Sequence, residues 1–137
     1  MIIIIDSDGL IGSLNPEDAH YALSNKILLL LAKGNAKIIY PATAIVETVT
    51  FFQGRMNKPE FAVKILELVN EDKLDIESID INLLQKASKI MNLKSSKHNT
   101  LFDCIVAAVA EEYKADAIFS FDKFYKARGF KLASELK

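Results

Sequence analysis

Four acidic residues carry the chemistry this chain can be expected to do: Asp6, Glu47, Asp103 and Asp122. Asp6 and Asp122 follow apolar runs, Ile2–Ile5 and Ala117–Phe121, that read as buried strands. Glu47 and Asp103 stand in the opening turns of two apolar helices. Carboxylates that converge repel one another, by ~3 kcal/mol for two unit charges ~5 Å apart at an effective dielectric of 20. Protonation relieves such a cluster, and so does a divalent cation. Carboxylates and water, without His or Cys, suit hard cations such as Mg²⁺ or Mn²⁺ rather than zinc. Such a cation beside basic loops is the chemistry of phosphodiester hydrolysis: it activates water and offsets charge on the in-line transition state.

Each acid also has a plainer explanation. The stretch Asn99–Tyr113, NTLFDCIVAAVAEEY, predicts a helix whose apolar stripe runs through Phe102, Val106, Val109 and Tyr113. Asp103 lies on another face, continued by the small residues Ala107 and Ala110. A carboxylate on a buried helix must be hydrogen-bonded, paired, neutralised or bound to a cation. Thr100 and Asp103 also have the spacing of a capping box, which would explain the acid locally. Glu47 shares a face with Thr43 and Thr50, apart from the core stripe Ile45, Val49 and Phe52, and an exposed helix would hold it equally well. Asp6-Ser7-Asp8-Gly9 could be a structural turn. It ends a buried strand, however, and in open α/β sheets ligands sit at the carboxyl ends of strands.

The remaining elements set the frame. Four consecutive isoleucines without alternation predict a strand covered on both faces. Asn15-Pro16-Glu17-Asp18 reads as a helix start, with the helix running to about Lys33. Lys37–Tyr40 is the second expected strand, and Pro41 opens the helix that carries Glu47. Phe51, Phe52, Met56, Pro59 and Phe61 cluster around Gly54-Arg55, as core or as a partner surface. Pro59–Asn70 reads as a helix, Leu74–Ile79 as a third strand, and Asp80 caps a helix over Ile81–Leu93. Phe130–Leu132 is an expected edge strand. Strand and helix alternate, which predicts an α/β fold with a parallel sheet and helices on both faces. Right-handed crossovers then bring all four acids to one edge.

Composition narrows the possibilities. At 137 residues, 50% hydrophobic and 26% charged, the sequence predicts one globular domain spanning 1–137. A net charge of −1 excludes a uniformly basic nucleic-acid binder, though not local basic patches. The single Cys104 excludes an intramolecular disulfide and a cysteine zinc site, and reads as a small buried hydrophobe. Ile2–Ile5 is too short for a signal peptide and Ile27–Ala32 too short for a membrane span, so a cytoplasmic protein with no membrane association is expected. The loop Lys94-Ser95-Ser96-Lys97-His98, together with Lys123, Lys126, Arg128 and Lys131, supplies the basic character. Lys94, Lys97, Lys123 and Arg128 are the expected phosphate contacts, and His98 reads as a surface residue.

The order Asp6, Glu47, Asp103, Asp122 resembles that of the PIN-domain nucleases, above all the small VapC-type toxins of toxin–antitoxin pairs. The stretches that carry it are IIIIDSDGLI, YPATAIVETVTFF, FDCIVAAVA and AIFSFDKF, spread over nearly the whole chain. The resemblance implies a three-layer α/β/α sandwich around a parallel sheet of about five strands. It implies Mg²⁺- or Mn²⁺-dependent endonucleolytic cleavage of RNA, often by a homodimer restrained by a small antitoxin protein. It places Asp6, Glu47 and Asp103 as core acids and Asp122 as the fourth, whose role in the family varies more. Ser120 matches a hydroxyl residue often found two places before that acid. Asp8 stands where the family often has Asn or Ser and adds a charge.

Two other functions fit parts of the sequence. Asp6-Ser7-Asp8-Gly9-Leu10-Ile11 also resembles the first motif of haloacid-dehalogenase-type phosphatases, where Asp6 would be the nucleophile and Asp8 the general acid/base. Only fifteen residues follow Asp122, little room for the further motif that family needs. A non-enzymatic α/β protein-interaction module would use the same acids as caps and salt-bridge partners. RNA cleavage that depends on a metal and on Asp6 separates these alternatives.

Overall fold

The computed structural model describes residues 1–91 and 99–137. Lys94, Lys97 and His98 lie outside the described residues. The sheet has four parallel strands, β1 (Ile2–Ile5), β2 (Lys37–Pro41), β3 (Asp75–Glu77) and β4 (Ala117–Phe119), in the order β3-β2-β1-β4. The sequence leads to about five strands; among the described residues the sheet has four. The expected edge strand at Phe130–Leu132 makes only an isolated parallel bridge, Leu132 beside Ile118. Its chain turns at once into a short 3-10 segment, Ala133–Glu135, so no ladder propagates.

The isoleucine run is buried on both faces, as its lack of alternation requires. Ile4 pairs with Ile39 and Ile118 and faces the core built on α6 (Leu101–Tyr113) and α5 (Ile81–Ile90). Ile3 and Ile5 face α2 (Tyr21–Lys33) through Ile27 and Leu31. This is a three-layer α/β/α arrangement. A third apolar cluster joins α3 (Ala42–Thr50), the π-helical turn Phe51–Arg55 and α4 (Pro59–Asn70) around Phe52, which is fully buried. Of the aromatic group around Gly54, Phe52 is therefore core, while Phe51, Met56 and Phe61 are only partly covered.

Two helical expectations change. The chain turns into α1 (Ser7–Leu14) directly after β1, and Asn15–His20 is a turn rather than a helix start. The Asn15 side chain accepts from the Glu17 amide at 3.2 Å and Asp18 from the His20 amide at 2.8 Å. Such local bonds hold the backbone in turns and compete with a helix. Phe102 leaves the expected stripe: Val106 and Val109 are fully buried, but Phe102 is 42% exposed. No described helix is long and apolar enough to cross a membrane.

The strand order fixes where a site can form. The chain leaves β1 towards β2 on one side, while β4 lies on the other. Neighbouring strands whose connections diverge leave a crevice at their carboxyl ends. Asp6 immediately follows β1, and Asp122 lies three residues beyond β4.

Candidate active site

Asp6 sits at the bottom of this crevice. Its amide donates to the Phe119 carbonyl at 3.1 Å, so the backbone is still in sheet register as it enters α1. As N-cap of α1, its Oδ1 accepts from the Ser7 amide at 2.7 Å. Its Oδ2 accepts from the Tyr125 hydroxyl at 2.5 Å. The residue is 4% exposed. Burial, and then the charge of Asp8, push the Asp6 pKa up to about 8 against the lowering effect of its two donors. Gly9 has a reason to be glycine: a Cβ there would lie 2.4 Å from the Phe119 carbonyl oxygen, so α1 reaches β4 only without a side chain.

Asp8 turns towards the loop after β4. Its Oδ2 accepts from the Ser120 hydroxyl at 3.0 Å and the Phe121 amide at 2.8 Å, and its Oδ1 from the Gly9 amide at 2.8 Å. Ser120 Oγ in turn accepts from the Asp122 amide at 3.1 Å. The two form a latch that fixes the turn carrying Asp122. Asp122 caps α7 (Lys123–Ala127) by accepting from the Phe124 amide at 2.9 Å.

Asp103 makes the local capping contact and also lies among the other acids. It reaches back to the Thr100 amide at 3.0 Å, as in a capping box. The Asn99 side-chain amide donates to Asp103 at 3.4 Å and to Asp122 at 3.2 Å, so one neutral group bridges two carboxylates. Burial raises the pKa of Asp103, with the charge of Asp122 adding to it against the Thr100 bond. Glu47, half-buried on α3, is raised to about 7 by burial first and then by the charges of Asp103 and Asp8. The charge of Asp103 thus reaches both Asp6 and Glu47, and that of Asp8 reaches the same two. None of the ion pairs among the described residues involves any of the five.

The basic residues gather less well. Lys123 is exposed beside Asp122. Arg128 instead pairs with Glu111 at 3.8 Å, in the last turn of α6. Eight helical residues separate Glu111 from Asp103, about 12 Å along the axis at 1.5 Å per residue. Lys94 and Lys97 fall outside the described residues.

Sequence reading missed Tyr125 and Asn99. A buried tyrosine needs a partner for its hydroxyl, but Tyr125 is the one buried residue of a short, mostly exposed helix, which the sequence does not reveal. Asn99 offered none, because its value lies in bridging acids nineteen residues apart.

As donors, the acids suit a hard divalent cation: oxygen only, partly desolvated, mutually repelling and without a described counter-charge. As they lie, no three His, Cys, Asp or Glu side chains among the described residues are grouped to hold a metal ion. Asp8 and Asp103 are turned onto protein donors instead. The donor chemistry fits.

No curated protein sequence matches the chain. Solved structures do. One is the Mycobacterium tuberculosis toxin VapC20, described as cleaving the sarcin–ricin loop, with a TM-score of 0.80 at 18% identity. That likeness covers 93% of this chain and 95% of the toxin. Another is VapBC2 from Rickettsia felis, bound to a DNA fragment from its promoter, with a TM-score of 0.61 at 17% identity. It covers 96% of this chain and 97% of that one. At such identities the likeness is one of fold. The PIN domain profile matches residues 3–131, nearly the whole sequence, and the chain belongs to the PIN domain family.

Proposed function

We propose that this protein is a divalent-metal-dependent endoribonuclease, the toxin of a toxin–antitoxin pair. The observation that carries the reading is the acidic cluster at the carboxyl edge of β1 and β4, where the charge of Asp103 acts on Asp6 and Glu47 and Asn99 bridges Asp103 to Asp122. The fold shared with VapC20 and VapBC2 supports it.

The four acids would hold Mg²⁺ or Mn²⁺. When bound, the cation supplies an activated water and offsets charge on the phosphodiester. The chain's own groups keep those acids in place. Tyr125 orients the Asp6 carboxylate, and Asn99 holds Asp103 and Asp122 together without adding charge. The Ser120–Asp8 latch fixes the turn that presents Asp122. Glu47, raised to about 7 by burial and its acidic neighbours, would be held ionised by a bound cation. Lys123 stands at the rim, where it would meet a phosphate without reading a base. No protein atom serves as nucleophile in this scheme. Both oxygens of Asp6 already accept protein hydrogen bonds, and Asp8 is bound to the loop after β4 rather than poised over a leaving group.

RNA is the proposed substrate. A small antitoxin is the proposed restraining partner, the homodimer the proposed assembly and the cytoplasm the proposed location. The test is cleavage of RNA by the purified protein with Mg²⁺ or Mn²⁺. Cleavage should stop with a chelator and with Asp6→Asn. Cleavage that persists through both changes would defeat the proposal.

A further inference from the structure

Beside the acids lies an open cleft of about 650 Å³, within the size range of ligand pockets. Asp8 and Glu47 give its lining an acidic part, and Phe51, Arg55 and Phe102 are among its other lining residues. Phe102 is the residue that departs from the expected core stripe. It is 42% exposed on the first turn of α6, immediately before Asp103. The π-helical turn Phe51–Arg55, a form of helix that often marks functional sites, also lines it. Arg55 is exposed and takes part in no ion pair among the described residues. Around Gly54 there is open space. The cleft therefore combines an aromatic face fixed on a rigid helix, an exposed guanidinium and an edge shared with the candidate catalytic acids.

We infer that this cleft binds an unpaired nucleotide next to the scissile phosphate, with its base stacked on Phe102 and its backbone met by Arg55. This deepens the ribonuclease reading and rests on it. A base offers a flat π-face whatever its identity, and aromatic stacking of single-stranded bases tolerates any sequence. The guanidinium suits a phosphate in a way a purely apolar occupant would not use. A base inside a duplex cannot present its face to the ring, so the cleft selects single-stranded or looped RNA. The position beside Asp103 makes Phe102 a register residue: it sets which phosphate reaches the acids.

The chain contains no tryptophan. Phe102→Trp therefore installs a single fluorescent reporter at an exposed position, where folding should not suffer. In an Asp6→Asn background, which leaves RNA uncut, its emission should be quenched by a short unstructured oligoribonucleotide and far less by an RNA duplex. Phe102→Ala should weaken binding of the same oligonucleotide by roughly 5- to 150-fold, and Phe102→Leu nearly as much, because it restores apolar area but no stack. With Asp6 intact, Phe102→Ala should raise KM and blur the cleavage position more than it lowers kcat. Unquenched emission in a binding-competent variant, or affinity unchanged by Phe102→Ala, overturns the inference while leaving a metal-dependent nuclease standing. Quenching and lost affinity without any metal-dependent cleavage would overturn the nuclease reading and leave the nucleotide site.

Discussion

The Tyr125 hydroxyl donates to Asp6 at 2.5 Å across 119 residues of sequence, and neither side chain is more than 4% exposed. A buried carboxylate with two donors is costly to form and costly to disturb. Its charge is opposed by burial and by Asp8, and favoured by Tyr125 and Ser7. Tyr125 therefore tunes how readily Asp6 ionises, from a position just past the end of the AIFSFDKF stretch.

Tyr125→Phe removes that donor and leaves the ring. Asp6 should ionise less readily, so the acidic limb of the rate–pH profile for RNA cleavage should move to higher pH. Outer groups that orient metal ligands typically contribute ~10–100-fold, and a loss of that size is expected near neutral pH. Recovery at higher pH distinguishes this from simple misfolding. A uniform loss at all pH values would count against the assigned role.

The acids also predict how stability depends on pH. Asp6 and Glu47 have folded-state pKa values raised to about 8 and about 7, above the ordinary carboxylate range near 4 in an unfolded chain. Between those limits the folded protein holds more protons than the unfolded one, so stability falls as pH rises. For these two acids the stabilisation of the metal-free protein should be greatest at the acidic end of this window, near pH 4, and be lost towards pH 8. Glu47→Gln should flatten that slope up to about pH 7 and leave the part above it, which belongs to Asp6. Thermal melts in metal-free buffer across this range check it, and a Tm rising with pH would contradict the coupling of the acids.

Adding Mg²⁺ or Mn²⁺ should reverse the loss. A ligand that binds only the folded state stabilises by ~2.7 kcal/mol at a free concentration of 100 times its Kd. Asp103→Asn should reduce this response. It should also relieve repulsion in the metal-free protein, provided the amide keeps the contact to Thr100. If the metal response is the same in Asp103→Asn, Asp103 serves only as a helix cap.

Much of this frame could be read from the sequence. The all-isoleucine run had to be covered on both faces, and strand–helix alternation had to give a parallel sheet. The acids could be recognised because each broke a local pattern, ending an apolar run or interrupting an apolar helix. What escaped was set by contacts between distant segments or by local competition. Ser7–Leu14 contains two glycines and two serines, a poor helix by composition, yet Asp6 caps it and Gly9 and Gly12 permit close packing. Asn15-Pro16 resembled a helix start until its side-chain bonds closed a turn. Phe102 continued an apolar period and so seemed to belong to the core. In the first turn it is left 42% exposed at the cleft beside Asp8 and Glu47, and periodicity cannot register that.

Gly9 gives a prediction about that packing. A methyl group there would meet the Phe119 carbonyl at 2.4 Å and the Phe119 ring at 2.7 Å. The carbonyl is backbone and already receives the Asp6 amide, so it cannot turn aside. Gly9→Ala should cost about 1–3 kcal/mol, as overpacking does, despite the slight gain from a stiffer unfolded chain. Urea denaturation should show a lower midpoint with an unchanged slope. Neutral or stabilising behaviour would mean that α1 does not approach β4 this closely.

The last prediction separates nuclease from phosphatase through Asp6 and Asp8. A haloacid-dehalogenase-type enzyme needs Asp6 as nucleophile and Asp8 as general acid/base, so loss of either would abolish turnover. Here Asp8 accepts from Ser120, Phe121 and Gly9, three bonds that spend it on positioning the turn before Asp122. Asp8→Asn keeps one oxygen acceptor for Phe121 and gives up the contact to Gly9. It should lower RNA cleavage modestly, mostly through a less well-held Asp122, while Asp6→Asn abolishes it. Small phosphomonoesters should remain uncut by the unmodified protein. A beryllium-fluoride adduct on Asp6, with phosphatase turnover that requires Asp8, would show that Asp6 attacks phosphorus and would end the nuclease proposal.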